Sequence, residues 1–210
     1  DGTCWFLAAD FDKQDWIADA TAFLETCRAR QVSAALERSR SGNGGHVWVF
    51  FAEAVPATMA RKLGAHVLTE TMEARPELGF RSYDRFFPNQ DTLPKGGFGN
   101  LIALPLQKAA RDRGNSLFVD ETLAPHCDQW AFLNEIQRLP MQRLERLVRA
   151  AEGRGRVVNV RMALPEEEAD AQPWMLPPSR RRDQLPQGAM PTKLELVFGD
   201  QIYVPKLDLP

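Results

Sequence analysis

The chain has 210 residues, a formal net charge of −2, 44% hydrophobic residues and 26% charged ones. That is enough for one large domain or a domain with an appendage, and its apolar share excludes a wholly disordered chain. No apolar run approaches the roughly 20 residues of a membrane span, and the near-neutral balance excludes a histone-like basic coat while leaving room for local basic patches.

Residues 5–11 form a short apolar run ending in acids, which predicts a buried strand. Residues 14–30 place Trp16, Ile17, Ala20, Phe23, Leu24 and Cys27 at helical spacing. Two strand-like runs, 34–39 and 46–51, flank a turn rich in Ser, Gly and Asn. Residues 56–71 open on Pro56 and continue as a helix with Met59, Leu63, Val67 and Leu68 as its apolar positions. A short strand near 81–85 leads into a Pro/Gly/Asn loop, and residues 101–104 and 117–120 are further strand-like runs. Residues 128–139 and 140–151 predict consecutive helices. There is no internal repeat, and the alternation gives a mixed α/β domain over residues 1–163.

Eight of the 15 prolines fall from Pro165 onward. There Glu166-Glu167-Glu168, Pro177-Pro178 and Arg180-Arg181-Arg182 predict a linker or extended wrapping over residues 164–210. It should close on a short β-hairpin around Gly199-Asp200. The three cysteines, Cys4, Cys27 and Cys127, share no Cys-x-x-Cys spacing. Neither a disulfide scaffold nor a zinc finger is expected, and a reducing, cytoplasmic location is. The start, Asp1-Gly2-Thr3-Cys4, lacks a basic n-region and an initiator Met, and is expected to be a cut from a longer chain rather than a signal peptide.

Three constellations carry possible chemistry. In Asp10-Phe11-Asp12, strand alternation projects both aspartates to one face, about 7 Å apart, where they can share hard divalent cations. The bland alternative is a strand end with Asp12 or Asp15 capping the next helix. In Glu37-Arg38-Ser39-Arg40-Ser41-Gly42-Asn43-Gly44-Gly45-His46-Val47-Trp48, small residues expose backbone N–H groups, and arginine, serine and histidine add phosphate donors. It is not a Walker loop, because no Gly-Lys-Ser/Thr follows the glycines. Asp84 sits among aromatics in Ser82-Tyr83-Asp84-Arg85-Phe86-Phe87 and needs a partner, either Arg85, Arg81 or a metal. Asp120, ending Leu117-Phe118-Val119, is its rival as a third acid. Two acids, a glycine-rich turn with histidine and a further isolated acid are what two-metal nucleotidyl transfer requires.

In this order, Asp-x-Asp, Ser-Gly-x-Gly-x-His opening a strand, and an aspartate before Phe-Pro-x-Gln resemble the archaeo-eukaryotic primase superfamily. The strings 39–48 and 86–91, with Gly96-Gly97-Phe98-Gly99-Asn100-Leu101 and its continuation to Gln107, resemble the primase-polymerase domain of the TOTE conflict systems. The resemblance covers roughly residues 5–138. It implies an RRM-like catalytic sheet packed with a second small α/β unit, and template-directed nucleotide polymerisation with Mg²⁺ or Mn²⁺. By residue-wise carry-over, Asp10, Asp12 and Asp84 are the metal and catalytic acids, and Ser41 and His46 contact the nucleoside triphosphate. Arg40, Asn43, Gly44, Gln90 and Lys95 complete the nucleotide-binding set. Gln90 stands where relatives often carry a basic residue, a charge that Lys95 or Arg40 would supply. Implied partners are single-stranded or primed DNA and a helicase domain in the same full-length chain, with no membrane. Tyr83 or Phe86 is a possible sugar gate. A metal-dependent nuclease on the same carboxylates, or an inactive nucleic-acid-binding module, is the alternative. His66 reads as structural, and Arg138, Arg143, Arg146 and Arg149 as a solvated or nucleic-acid-facing stripe.

Overall fold

A computed structural model describes residues 2–92 and 101–154 of the protein. The chain divides into the units Asp1–Val157 and Val158–Pro210, and the architecture below is that of the first. The linker and hairpin expected over 164–210, and Lys95, lie outside the described residues.

The elements run β1 (Thr3–Asp12), α1 (Trp16–Ala29), β2 (Ala35–Arg38), β3 (Gly44–Pro56), α2 (Ala57–Ala74) and β4 (Tyr83–Phe87). They continue with α3 (Lys108–Arg111), β5 (Phe118–Val119), α4 (Gln129–Glu135) and α5 (Met141–Glu152). The strands form one antiparallel sheet of order β4-β1-β3-β2-β5. The first four of these are the split β-α-β-β-α-β arrangement of an RRM-like sheet, with β1 and β3 at its centre. The fold is mixed α/β, as the alternation of elements predicts. Residues 101–104 do not form a strand. Leu101 and Leu104 are exposed, and this segment instead lays Ile102 on the sheet.

Alternation along β1 decides which face is which. Leu7, Ala9 and Phe11 point to the helices, where Ala20, Phe23 and Cys27 of α1 and Leu63 and Val67 of α2 are also buried. The ring of Phe11 meets that of Phe23 edge-on at 5.7 Å. Gly64 of α2 leaves room for Phe86, whose ring atoms lie 3.0–3.1 Å from where a Cβ would stand. The opposite face carries Phe6, Ala8, Asp10 and Asp12. There Ala8, Ala35, Trp48, Phe87 and Phe118 form a second apolar cluster, covered by Ile102, Leu106, Phe132, Leu133 and Ile136. Helix α5 follows Pro140 and packs on α2, with Leu144, Val148 and Ala151 as its buried stripe. Its arginines are partly committed: Arg143 donates to the Arg30 carbonyl and the Gln31 side chain, and Arg149 pairs with Glu145.

Candidate active site

Strand register assembles one polar row across the sheet. Asp10 of β1 is opposite His46 of β3 and Arg85 of β4, and His46 is opposite Glu37 of β2. Asp12, two residues on and therefore on the same face, pairs with Gly44. A Cβ on Gly44 would lie 2.5 Å from Asp12 Oδ1 and 2.6 Å from the Phe11 carbonyl, and one on Gly45 would lie 2.5 Å from the Trp16 ring. The paired glycines are thus a close-approach requirement: a carboxylate lies over one and an indole over the other.

Asp84 reaches this face through a bulge. Asp10 pairs with Arg85 but Phe11 pairs with Tyr83, so Asp84 is the extra residue between them. In a regular ladder it would share the helix face with Phe11; the bulge gives that place to Tyr83, whose ring packs 6.0 Å from Phe11. Asp84 is instead close enough to Asp10 to raise its pKa. The bulge is anchored by Ser82, whose carbonyl accepts from the Asp12 N–H at 2.6 Å and whose hydroxyl donates to buried Asp19 of α1 at 2.6 Å. The partner expected for Asp84 is Arg85, with Nε 2.6 Å from Oδ2.

Burial is the main force holding the Asp10 carboxyl at about 6, well above its ordinary value of 3.8. The neighbouring charges of Asp12 and Asp84 push it further up, while His46 and Arg85 pull it back. Its Oδ1 is buried, accepts no hydrogen bond from the described residues and lies 3.4 Å from His46 Nε2. Burial alone would lower the pKa of His46. The hydrogen bond from its Nδ1 to Glu37 and the charges of Glu37, Asp10 and Asp12 outweigh it, and the net direction is upward. Glu37 is itself buried, and also accepts from Trp48 Nε1 at 2.8 Å and from the Ser116 hydroxyl at 3.2 Å.

A hard divalent cation fits this donor set. Three carboxylates crowd one another, and one buried oxygen lacks the hydrogen bond that would otherwise compensate it. As they stand, no three His, Cys, Asp or Glu side chains among the described residues converge as a ready-made cage. Asp84 is turned onto Arg85.

The remaining residues singled out in the sequence divide. Arg40, Ser41 and Asn43 lie on the β2–β3 turn, all three exposed; Gly42 turns the chain there at φ 83°. Ser41 Oγ lies 3.1 Å from Ser39 Oγ and accepts from the Asn43 N–H at 3.2 Å. Arg38 is committed to the Leu123 carbonyl. Gln90 is half-buried, and its Nε2 finds no acceptor among the described residues. Asp120 lies just beyond β5, at the sheet edge opposite β4, and accepts from Thr122 and Ala124 of its own turn. The structure does not bring it to the other acids. Asp15 is the N-cap residue of α1, but its side chain makes no capping bond. The sugar-gate expectation needs correction: Tyr83 and Phe86 are buried in the core, against Phe11 and against Phe23 with Gly64, because the bulge turns Tyr83 toward the helices and regular pairing with Ala9 puts Phe86 on the same face. Glu37 has no role in the sequence reading, although an acid between Leu36 and the arginine-serine turn is its visible signal.

Residues 1–147 match the family model of the TOTE conflict system, archaeo-eukaryotic primase domain. The chain belongs to this family. No match to it is found among the curated proteins. The span matched to the archaeo-eukaryotic primase domain takes in the whole sheet and the polar row. Primase-type nucleotidyl transfer, with nucleic acid and nucleotide as its substrates, is what membership implies at family level. Among the described residues no helix is long and apolar enough to cross a membrane.

Proposed function

We propose that this primase-family domain is a DNA primase-polymerase, extending a strand by template-directed nucleotidyl transfer. What supports this reading is one observation: carboxylates from β1 and β4 crowd a single end of the sheet, beside a histidine whose Nε2 faces Asp10. Mg²⁺ or Mn²⁺ held by Asp10, Asp12 and Asp84 would neutralise charge at the α-phosphate and favour the ionised 3′-hydroxyl. The 3′-oxygen bonds to the α-phosphorus, the bond to the bridging oxygen breaks, and pyrophosphate leaves. In its imidazolium form, with Nδ1–H held by Glu37, His46 donates from Nε2 to a phosphate oxygen, where a fixed donor stabilises developing charge. Arg40, Ser41, Asn43, Gly44, Gln90 and Lys95 are the proposed further contacts to the nucleoside triphosphate. The proposed catalytic domain is residues 1–163, with 164–210 an extension toward a helicase in the same full-length chain.

The test supplies primed and unprimed single-stranded DNA, NTPs or dNTPs, and Mn²⁺. Product is expected from the wild type and none from the double variant Asp10→Ala/Asp12→Ala. Undiminished synthesis by the double variant overturns the reading. Degradation of labelled DNA without added nucleotides would replace it with the nuclease.

A further inference from the structure

Glu37 occupies the middle of a strand whose neighbours, Ala35 and Leu36, are core residues, and it is about 1% exposed. An ionisable side chain at such a position is costly unless donors compensate it. Here the donors converge. Oε2 takes Trp48 Nε1–H at 2.8 Å and lies 2.9 Å from His46 Nδ1, while Oε1 takes the Ser116 hydroxyl at 3.2 Å. An unprotonated Nδ1 would set a lone pair against an oxygen that already accepts from an indole, so the proton belongs on Nδ1 and points to Glu37. The oxygen is held in place in turn, because the Trp48 ring is stacked on Phe50 and tilted against Phe6. With Nδ1 committed, the other imidazole nitrogen is the one that faces Asp10, at 3.4 Å.

We infer that Glu37 is the positioning residue of the site: it fixes the orientation and proton placement of His46, so that Nε2 is presented at the acidic end of the sheet. It touches neither substrate nor reacting atoms. The inference rests on the nucleotidyl-transfer reading for its kinetic consequence, but its structural content does not. Carboxylates that orient a metal-ligating histidine from behind typically cost about 10–100-fold in metal affinity or activity when removed, and the same scale is expected for a histidine oriented toward phosphate.

The experiment compares Glu37→Met, which keeps length and removes the acceptor, with Glu37→Gln, which keeps an acceptor oxygen. Glu37→Asp withdraws the acceptor by one methylene and serves if the methionine variant does not fold. Thr71→Val, which removes a buried hydroxyl bonded to Thr26 and Val67 away from the site, controls for lost stability. Primer extension should fall about 10–100-fold in kcat/KM for Glu37→Met or Glu37→Asp. It should be largely rescued in Glu37→Gln and unaffected in Thr71→Val at matched melting temperature. In ¹⁵N-edited spectra of the metal-free protein, the His46 Nδ1–H resonance should persist in wild type and Glu37→Gln and vanish in Glu37→Met. Wild-type kinetics in Glu37→Met, a loss in Thr71→Val equal to it, or an unchanged Nδ1–H signal in Glu37→Met overturns the inference. A wild type that makes no product overturns the primase-polymerase reading instead, and the spectrum, which needs no turnover, still decides the placement of the proton.

Discussion

Asp10 and His46 stand directly opposite each other on β1 and β3, with the imidazole Nε2 3.4 Å from a carboxylate oxygen that accepts no hydrogen bond from the described residues. The pair is therefore incomplete by itself. Asp10 also carries the repulsion of Asp12 and Asp84, and the fold is stable in spite of this arrangement rather than because of it.

That has a consequence for stability against pH. The folded-state pKa of Asp10, about 6, lies above its ordinary 3.8. The native state therefore binds the proton more tightly, and the contribution of Asp10 to stability falls as pH rises from 3.8 to about 6, then stays low. A displacement of this size corresponds to at most about 3 kcal/mol. Metal-free Asp10→Asn should melt several degrees above wild type near neutral pH, and the gain should disappear toward about pH 4. Thermal melts across pH check this; an equal gain at both ends contradicts it.

A cation that relieves the same repulsion stabilises the native state by mass action. Adding Mn²⁺ to the metal-free protein should raise Tm progressively with concentration. The increment should be reduced or lost in Asp10→Asn and Asp12→Asn. Differential scanning fluorimetry reads this directly, and identical shifts in all three proteins would place the ion elsewhere.

Two glycines differ in what they tolerate. In Gly44→Ala the new methyl would stand 2.6 Å from the Phe11 carbonyl, which is backbone of the central strand, and 2.5 Å from the Asp12 carboxylate. It should destabilise by more than about 2 kcal/mol and suppress synthesis. Gly114 has a positive φ of 77° but nothing within 4 Å of where a Cβ would stand. Gly114→Ala should cost only the left-handed conformation, about 1–2 kcal/mol, and leave activity intact. Urea unfolding together with primer extension separates the two.

The cysteines should label in order of access. Cys127 is exposed, whereas burial pushes the Cys4 thiol up to about 11 and the Cys27 thiol up to about 12. Since the thiolate is the reactive form, Cys127 should react first, Cys4 slowly, and Cys27 only on unfolding. Peptide mapping after timed alkylation gives the order, and early loss of Cys27 would show that α1 opens readily.

The parts of this site legible in the sequence are those set by local period. Alternation along a strand is enough to put Asp10 and Asp12 on one face and Phe11 on the other. The Ser/Gly turn and the histidine after it announce themselves by composition. The position of Asp84 is legible only in part, because its arrival beside Asp10 depends on β4 joining the far edge of β1 and on a one-residue bulge, neither of which leaves a periodic mark. The same bulge sends Tyr83 into the core, where regular pairing opposite Ala9 already puts Phe86, against the expectation that one gates the sugar. Glu37 is hidden for a related reason: its partners His46, Trp48 and Ser116 are gathered by β2–β3 register and by a loop 79 residues away. The apolar run at 101–104 misleads because a segment that lays only Ile102 on the sheet has the same apolar composition as a strand inside one.

The central claim is that acids from β1 and β4 form one catalytic group, and it is tested most directly by Mn²⁺-dependent primer extension with Asp84→Asn beside Asp120→Asn. Both remove one carboxylate charge, one from beside Asp10 and one from an exposed turn at the opposite edge of the sheet. The expected result is loss of product for Asp84→Asn and wild-type extension for Asp120→Asn. Full extension by Asp84→Asn, or its abolition by Asp120→Asn, would contradict the claim.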